Sequence, residues 1–277
     1  MPNPRSKKPV PPRSTGRPAP RVPTNTEATG TPKRVTLDRL LSKLGIASRS
    51  QAQEWIKAGR VRINQRVART PDTWVDWPGD AVTLDEHPLE QSPPRFILFH
   101  KPKGCVTTHH DEQGRRTIFD VLPPEMTRLH AVGRLDQATS GLLLLTNDST
   151  LSSFLTDPQH QVPRAYLVTV RGEVTDHIRH AAIDGLQDEG EYLHCSAVTI
   201  QKRSGRESHL AVTLTEGKNR EIRRMFSAVG HEVTKLKRVA YGPLGLGDLQ
   251  PGKYREIPDE ELRNAFPEAP IRGKENA

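Results

Sequence analysis

The sequence predicts an α+β fold in two unequal units, a small helix–helix–strand unit followed by a larger unit with a mixed, largely antiparallel sheet. Two segments with helical spacing of apolar residues stand close together near the start of the foldable chain. Further along, strand-like apolar runs dominate, and two of them are joined by a short polar turn typical of a hairpin. Strands and helices do not alternate regularly, and 277 residues suffice for about two domains.

Residues 1–34 are predicted to be a disordered basic arm, because they contain nine prolines and too few apolar residues to fold. Eight Lys or Arg residues face one acidic residue there, so most of the formal net charge of +8 lies in the arm. The arm is either a solvated tail or a non-specific tether for phosphates. The rest of the chain is nearly neutral, so a surface that binds nucleic acid must be a local patch.

Residues 35–88 are predicted to fold as one compact unit. Leucines at helical spacing indicate a first helix: Leu37, Leu40, Leu41 and Leu44. Gly45 is expected to end it, and Ser48 is expected to cap a second helix over residues 49–58. Short strands are expected over residues 61–64 and 81–84.

This order of two helices and arginine-bearing strands resembles the S4-like domain of ribosomal and RNA-modifying proteins. The resemblance implies contacts with RNA by a set of basic residues on the helices and the following strand: Arg39, Arg49, Lys57, Arg60 and Arg62. The alternative is a helix pair whose charged face is simply solvated.

Residues 94–258 are predicted to form the larger unit, and residues 259–277 a short terminal helix with a loose polar tail. Strands are expected from five apolar or alternating runs, at residues 96–99, 142–145, 166–170, 195–200 and 209–214. A helix is expected over residues 221–228, where Gly230 stops it.

A carboxylate between an arginine and a Thr-Ser-Gly turn marks the larger unit. The run Gly-Arg-Leu-Asp-Gln-Ala-Thr-Ser-Gly occupies residues 133–141 and precedes the apolar strand Leu142–Leu145. A carboxylate at the mouth of a buried strand can act as a nucleophile or a base, whereas an isolated Asp in this setting would only cap a turn. Asp136 is therefore the candidate catalytic residue.

The whole run resembles the active-site signature of the ribosomal RNA pseudouridine synthases of the RsuA/RluB type. The resemblance implies that Asp136 is the catalytic aspartate and that Arg223, in the second signature Glu216–Phe226, pairs with it. It also implies that Tyr166 stacks on the target base. Two positions depart from the family pattern, Ser149 for Gly and Glu221 for Gln.

Several basic residues near these motifs are predicted to bind RNA, although the residues of the second signature could instead belong to a solvated face, and Arg134 could either hold its loop or prop open the RNA helix after the base leaves. Two lie in the Lys-Pro-Lys-Gly turn after the first long strand, one precedes the catalytic motif, and three lie in the second signature: Lys101, Lys103, Arg134, Lys218, Arg220 and Arg224. Such contacts position RNA and carry little sequence choice.

The predicted function is isomerisation of a uridine to pseudouridine in ribosomal RNA, with large-subunit RNA favoured. The alternative is a non-catalytic RNA-binding or ribosome-assembly factor. Neither metal nor cofactor is expected, since no spaced set of four ligands occurs and the reaction needs no donor group. Two cysteines without a disulfide framework and a polar N-terminus predict a cytoplasmic location, and apolar runs of only a few residues predict no membrane span. The protein is expected to be a monomer that acts on ribosomal RNA or a precursor particle.

Overall fold

The computed structural model describes residues 33–44, 46–47, 49–90 and 93–271. The predicted arm therefore lies outside the described residues except at its end, as do Gly45 and Ser48. Lys33 and Arg34, which were expected in the arm, instead begin a strand. They belong to it because their backbones pair with the strand that contains Asp76 and Trp77.

The small unit contains both predicted helices and more strands than the sequence indicated. In chain order its elements are β1 (Lys33–Thr36), α1 (Leu37–Lys43), α2 (Arg49–Lys57), β2 (Val61–Ile63), β3 (Arg66–Val67), β4 (Trp74–Trp77), β5 (Val82–Leu84) and β6 (His87–Pro88). Strands β3, β2, β5 and β6 form one antiparallel sheet, and β1 pairs with β4.

The apolar faces of α1 and α2 meet in a small core. Leu37, Leu41 and Ile56 are fully buried there, together with Val61 and Val75 from the strands. Burial of these side chains is the main stabilising contribution to so short a unit. The helical spacing of the leucines in the sequence thus predicted the correct buried face.

The larger unit supplies the remaining elements. They are β7 (Phe96–Lys101), β8 (His130–Ala131), β9 (Ser140–Thr146), α3 (Ser149–Thr156), β10 (Arg164–Arg171), α4 (Asp176–Asp184), β11 (Leu186–Asp188), β12 (Glu191–Leu193), β13 (Ala197–Arg203), β14 (Glu207–Leu214), α5 (Glu221–Ala228), β15 (Val233–Tyr241), β16 (Leu244–Gly245), β17 (Tyr254–Glu256) and α6 (Asp259–Ala265). Two 3₁₀ turns lie at Pro124–Arg128 and Pro158–His160.

Within residues 93–271, nine of these strands form one sheet in the order β13-β14-β10-β15-β9-β7-β17, with β16 on β15 and β8 on β9. All pairings are antiparallel except that of β9 with β15. The prediction of an α+β fold with a mixed, largely antiparallel sheet is confirmed. Helices α3 and α4 were not anticipated.

The central strands β7 and β9 are covered on both faces. Leu143 and Leu145 of β9 pack into one core with α5, whereas Leu142 and Leu144 pack into a second core with α3 and α6. A strand buried on both faces has no polar side, which is why this segment reads as an uninterrupted apolar run.

Helix α6 belongs to the second core and is not part of a loose tail. Leu262 is 1 % exposed, and Phe266 packs against the same cluster. The predicted short terminal helix is thus present, and its apolar side packs on the second core of the larger unit.

Gly141 allows the parallel pairing between β9 and β15. It lies opposite Arg238, and its φ is +113°. A Cβ atom at this position would lie 2.1 Å from the backbone oxygen of Arg238, which is far inside contact distance. We expect Gly141→Ala to lower the free energy of unfolding by about 2 kcal/mol or more, measured by urea denaturation.

Gly205, in the β13–β14 turn, is a matched control. A Cβ atom there meets nothing within 4 Å, and its φ is not in the left-handed range. Gly205→Ala should change the free energy of unfolding by less than about 0.5 kcal/mol. Equal effects of the two substitutions would contradict the packing described for Gly141.

Candidate active site

The candidate site opens at the start of β9, where the loop of residues 133–139 turns into the sheet. The Asp136 side chain is 35 % exposed and faces a depression bordered by the N-terminus of α5. Its Oδ2 atom lies 3.5 Å from Nη1 of Arg220. The site therefore presents an accessible carboxylate with a guanidinium beside it.

Apolar side chains and two tyrosine rings, Tyr166 and Tyr241, line part of the depression. Tyr166 on β10 is 9 % exposed and lines the depression together with Leu214 and Leu236. Tyr166 pairs with Arg238 across the β10–β15 ladder, next to a bulge. Tyr166 and Asp136 therefore line the same depression.

Lys101 lies beneath the loop and cannot bind phosphate. Its side chain is fully buried, and its Nζ donates to the backbone oxygens of Asp136 at 3.0 Å and Thr139 at 2.8 Å. Burial lowers the pKa of this ammonium group. The expectation of an RNA contact was wrong because Lys101 is the last residue of β7, all of whose residues are buried.

Arg223 does not make the expected ion pair with Asp136. Its Nη1 donates to the backbone oxygen of Val233 at 2.9 Å, and Arg220 takes the place beside the carboxylate. Burial and the like charge of Arg220 lower the pKa of Arg223, while the nearby Asp136 carboxylate opposes this shift. The Nε of Arg223 is buried without a hydrogen-bond partner. The Arg223 guanidinium therefore lies close enough to Arg220 and Asp136 to feel their charges but does not pair with the carboxylate.

Two further buried arginines, Arg164 and Arg238, shape the site. Arg164 donates to the backbone oxygens of Thr215, at 2.8 Å, and Leu155, at 3.0 Å. Arg238 donates through Nε to the backbone oxygen of Leu142 at 2.7 Å. Strand alternation could have found both, because each stands on the same face as an apolar neighbour two residues away.

The turn before α5 presents Arg220 to Asp136. Arg220 has a left-handed backbone conformation with φ of 49°, and Glu221 Oε2 accepts a hydrogen bond from the backbone nitrogen of Lys218 at 3.1 Å. Burial raises the pKa of Glu221. Lys218 is itself engaged, since its Nζ pairs with Glu216 and donates to the Tyr192 backbone oxygen. The predicted phosphate contact of Lys218 is therefore not supported.

Arg224 is likewise a structural residue. Its Nε lies 2.6 Å from Asp188 Oδ2, and its Nη1 pairs with Glu191. Both acids belong to the β11–β12 hairpin, so this pair of salt bridges fixes α5 against the hairpin. The two carboxylates raise the pKa of the guanidinium. The expectation that Arg224 contacts RNA was wrong because its Nε, Nη1 and Nη2 atoms all donate to groups of the hairpin.

The predicted RNA-binding cations of the small unit fall into two groups. Arg39 and Lys57 are exposed and pair with no described carboxylate. The others lie beside acids: Arg49 with Asp38, Arg60 with Asp85 and Arg62 with Glu86. In the larger unit, Lys103 and Arg134 are also exposed and without an acidic partner among the described residues. Of the predicted RNA-binding cations, four are thus exposed and lack an acidic partner among the described residues: Arg39, Lys57, Lys103 and Arg134.

Groups of three or more His, Cys, Asp or Glu side chains that could hold a metal ion do not occur within the described ranges. In the same part of the chain, no helix combines the length and apolar character that crossing a membrane requires. Cys105 and Cys195 are buried and unpaired, and burial raises the pKa of the Cys195 thiol to about 12.

Comparisons with known proteins place this geometry in a family. Residues 95–228 match the family described as RNA pseudouridylate synthase, and residues 35–82 match the S4 domain. A solved structure of a pseudouridylate synthase superimposes with a TM-score of 0.59 at 28% sequence identity, covering 83% of this chain and 98% of that chain. The two domain matches agree with the two units of the fold.

Relatives extend the match over most of the chain. The ribosomal large subunit pseudouridine synthase B of Bacillus subtilis is 34% identical over 82% of this chain and 93% of its own length. An RNA pseudouridine synthase of Aquifex aeolicus is 35% identical over 84% of this chain and 94% of its own. The chain therefore belongs to the RNA pseudouridylate synthase family and carries an N-terminal S4 domain.

The two lysines of the β7 turn should behave differently when each is replaced by methionine. Lys101→Met leaves two buried carbonyls without their ammonium donor, so it should lower the free energy of unfolding by about 2–3 kcal/mol. Urea denaturation of the full chain measures this effect.

Lys103→Met is the matched control, since Lys103 is exposed two residues away. It should leave stability within about 0.5 kcal/mol of the wild type. If Lys103 contacts a phosphate, the same variant should reduce the salt dependence of RNA binding by roughly one unit of log–log slope. A stable Lys101→Met protein would contradict the bracing role of Lys101.

Proposed function

We propose that this protein converts a uridine of ribosomal RNA to pseudouridine, with Asp136 as its catalytic residue. The observation that carries the proposal is the accessible Asp136 carboxylate beside Arg220, above a floor that contains Tyr166. The reaction breaks the bond between uracil N1 and ribose C1′ and forms a new bond between C5 and C1′. The C5 proton leaves and N1 gains a proton, so no redox partner or group donor is needed.

The target base must leave the RNA stack before Asp136 can act on its sugar. A flipped pyrimidine can rest against a ring, and the unstacking costs a few kcal/mol. Tyr166 and Tyr241 both line the depression with Asp136, but Tyr241 is only 1 % exposed and its hydroxyl donates to the Leu155 backbone oxygen, so Tyr166 is the more accessible ring. We assign it to holding the detached uracil while the base turns to present C5.

Asp136 has two routes to release uracil. As a nucleophile it attacks C1′ and forms an ester with the sugar, which the turned base later displaces. As a base it removes a proton from the sugar, and the electrons of that bond expel uracil. Both routes need an ionised carboxylate, and both use the cation of Arg220 in the same way. Arg223, which is bonded to the Val233 backbone oxygen near Arg220, adds a second positive charge to this side of the site.

RNA docking is assigned to the cations that the fold leaves open. Arg39 and Lys57 of the S4 domain are exposed, and so are Lys103 and Arg134 around the site. Phosphate contacts of this kind supply affinity and register, and sequence choice comes from RNA shape. Arg134, two residues before Asp136, lies at the rim of the depression, where it can contact the strand that flanks the flipped nucleotide.

Large-subunit ribosomal RNA is the proposed substrate. The relatives from Bacillus subtilis and Pseudomonas aeruginosa both bear the name ribosomal large subunit pseudouridine synthase B, at 34% and 40% identity. The Pseudomonas protein is longer, and this chain spans 60% of it. Two buried unpaired cysteines are compatible with a reducing cytoplasm, where ribosomal RNA is made in bacteria.

Mapping pseudouridines in ribosomal RNA tests the proposal. In cells that lack the gene, we expect one or a few large-subunit positions to read as uridine. Wild-type protein should restore them, and Asp136→Asn should not, because the amide can neither attack the sugar nor take its proton. Purified Asp136→Asn should bind large-subunit RNA within about threefold of the wild type.

Three results would contradict the proposal in different ways. Restoration by Asp136→Asn would remove Asp136 from the chemistry. An unchanged map without the gene, together with normal RNA binding, would favour a non-catalytic RNA-binding or assembly factor. A changed position in small-subunit RNA would preserve the activity and correct the substrate.

A further inference from the structure

We propose that Thr107 is a positioning residue for Asp136, acting through the peptide bond that joins Leu135 to Asp136. This inference rests on the proposed function and adds a residue outside both sequence motifs. Thr107 lies in the segment between β7 and β8, 29 residues before Asp136 in the sequence. Its role follows from a pair of hydrogen bonds to one residue.

The Thr107 hydroxyl contacts both backbone groups of Leu135. Its Oγ1 donates to the Leu135 carbonyl oxygen at 2.8 Å and accepts from the Leu135 nitrogen at 3.2 Å. The carbonyl is half of the peptide plane that leads into Asp136. A fixed orientation of that plane restricts the backbone dihedrals available to Asp136 and therefore the direction of its side chain.

Thr107 is itself held on a rigid support. The preceding residue, Val106, forms an isolated bridge with Thr117. Its nitrogen donates to the Arg116 oxygen at 2.9 Å, and its oxygen accepts from the Ile118 nitrogen at 3.0 Å. The side chain of Ile118 is fully buried in the core. The position of the hydroxyl is thus set by the core and not by the loop that it contacts.

The other hydrogen bonds that hold the catalytic loop are made to the backbone oxygens of Asp136 and of residues that follow it. Lys101 reaches the oxygens of Asp136 and Thr139, and the Gly104 nitrogen donates to the Gln137 oxygen at 2.8 Å. On the N-terminal side of Asp136, the Leu135 side chain packs into the core, and the Thr107 hydroxyl fixes the orientation of the Leu135 backbone. Loss of the hydroxyl would let the peptide plane before Asp136 rotate while the core packing of Leu135 and the Lys101 bonds preserve the fold.

The experiment compares Thr107→Val with Thr107→Ser and Thr108→Val. Valine keeps the shape and removes the hydroxyl, whereas serine keeps the hydroxyl. Thr108 is the matched control, because its hydroxyl donates to the His110 oxygen within its own turn and does not reach the catalytic loop. The probe is unmodified large-subunit ribosomal RNA transcribed in vitro with tritium at uridine C5, and tritium release is followed under single-turnover conditions.

We expect Thr107→Val to reduce the rate constant at saturating enzyme about 10- to 100-fold, because small misplacements of a reacting group carry penalties of this size. The enzyme concentration for half-saturation should change less than about twofold. Thr107→Ser should recover the rate to within about threefold of the wild type, and Thr108→Val should match the wild type. A merely structural role would move half-saturation and thermal stability together with the rate.

Hydrogen exchange of the Leu135 amide gives a second readout that needs no catalysis. Protection should fall in Thr107→Val and persist in Thr107→Ser. Should valine prevent folding, Thr107→Ala removes the same hydroxyl with less bulk, and the same outcomes apply. An active wild type with an equally active hydroxyl-free variant, or unchanged Leu135 protection, overturns this inference alone. An inactive wild type would instead overturn the proposed function.

Discussion

The loop that carries Asp136 depends on one buried cation, the ammonium group of Lys101. It donates to two loop carbonyls from below, at 3.0 Å and 2.8 Å, with no exposed surface of its own. A lysine is rarely buried unless its charge is satisfied, and here loop carbonyl groups satisfy it. The consequence is a fixed backbone under an exposed carboxylate, so the reactive group meets solvent while its support does not.

The same division recurs around the site. Arg164 and Arg238 are buried and donate to backbone oxygens, whereas Arg220 and Arg134 stand at the opening. The buried cations donate to backbone oxygens of the strands, helix and turns around the site, and the exposed cations are left for the anionic partner. This explains how a folded region of nearly neutral net charge can still offer a positive surface around one carboxylate.

Much of the fold and the position of Asp136 could be predicted from sequence, because leucine spacing and apolar runs report burial directly. Which individual cations are buried, exposed or paired with acids could not be predicted. Lys101 and Lys103 look alike in a Lys-Pro-Lys-Gly turn, yet Lys101 is the last residue of the buried strand β7, whereas Lys103 lies in the exposed turn that follows it. The ion pair was assigned to Arg223, and only the turn geometry shows Arg220 in that place. Contacts such as Thr107 with Leu135 join distant segments and leave no local signal.

The most direct test is a structure of the full chain bound to a large-subunit RNA stem-loop that contains the mapped uridine. We expect the flipped uridine to place ribose C1′ within about 3.5 Å of an Asp136 carboxylate oxygen, with its base against Tyr166. The Lys101 bonds to the loop should be unchanged in that complex. A uridine bound elsewhere, or an Asp136 loop detached from Lys101, would contradict the account.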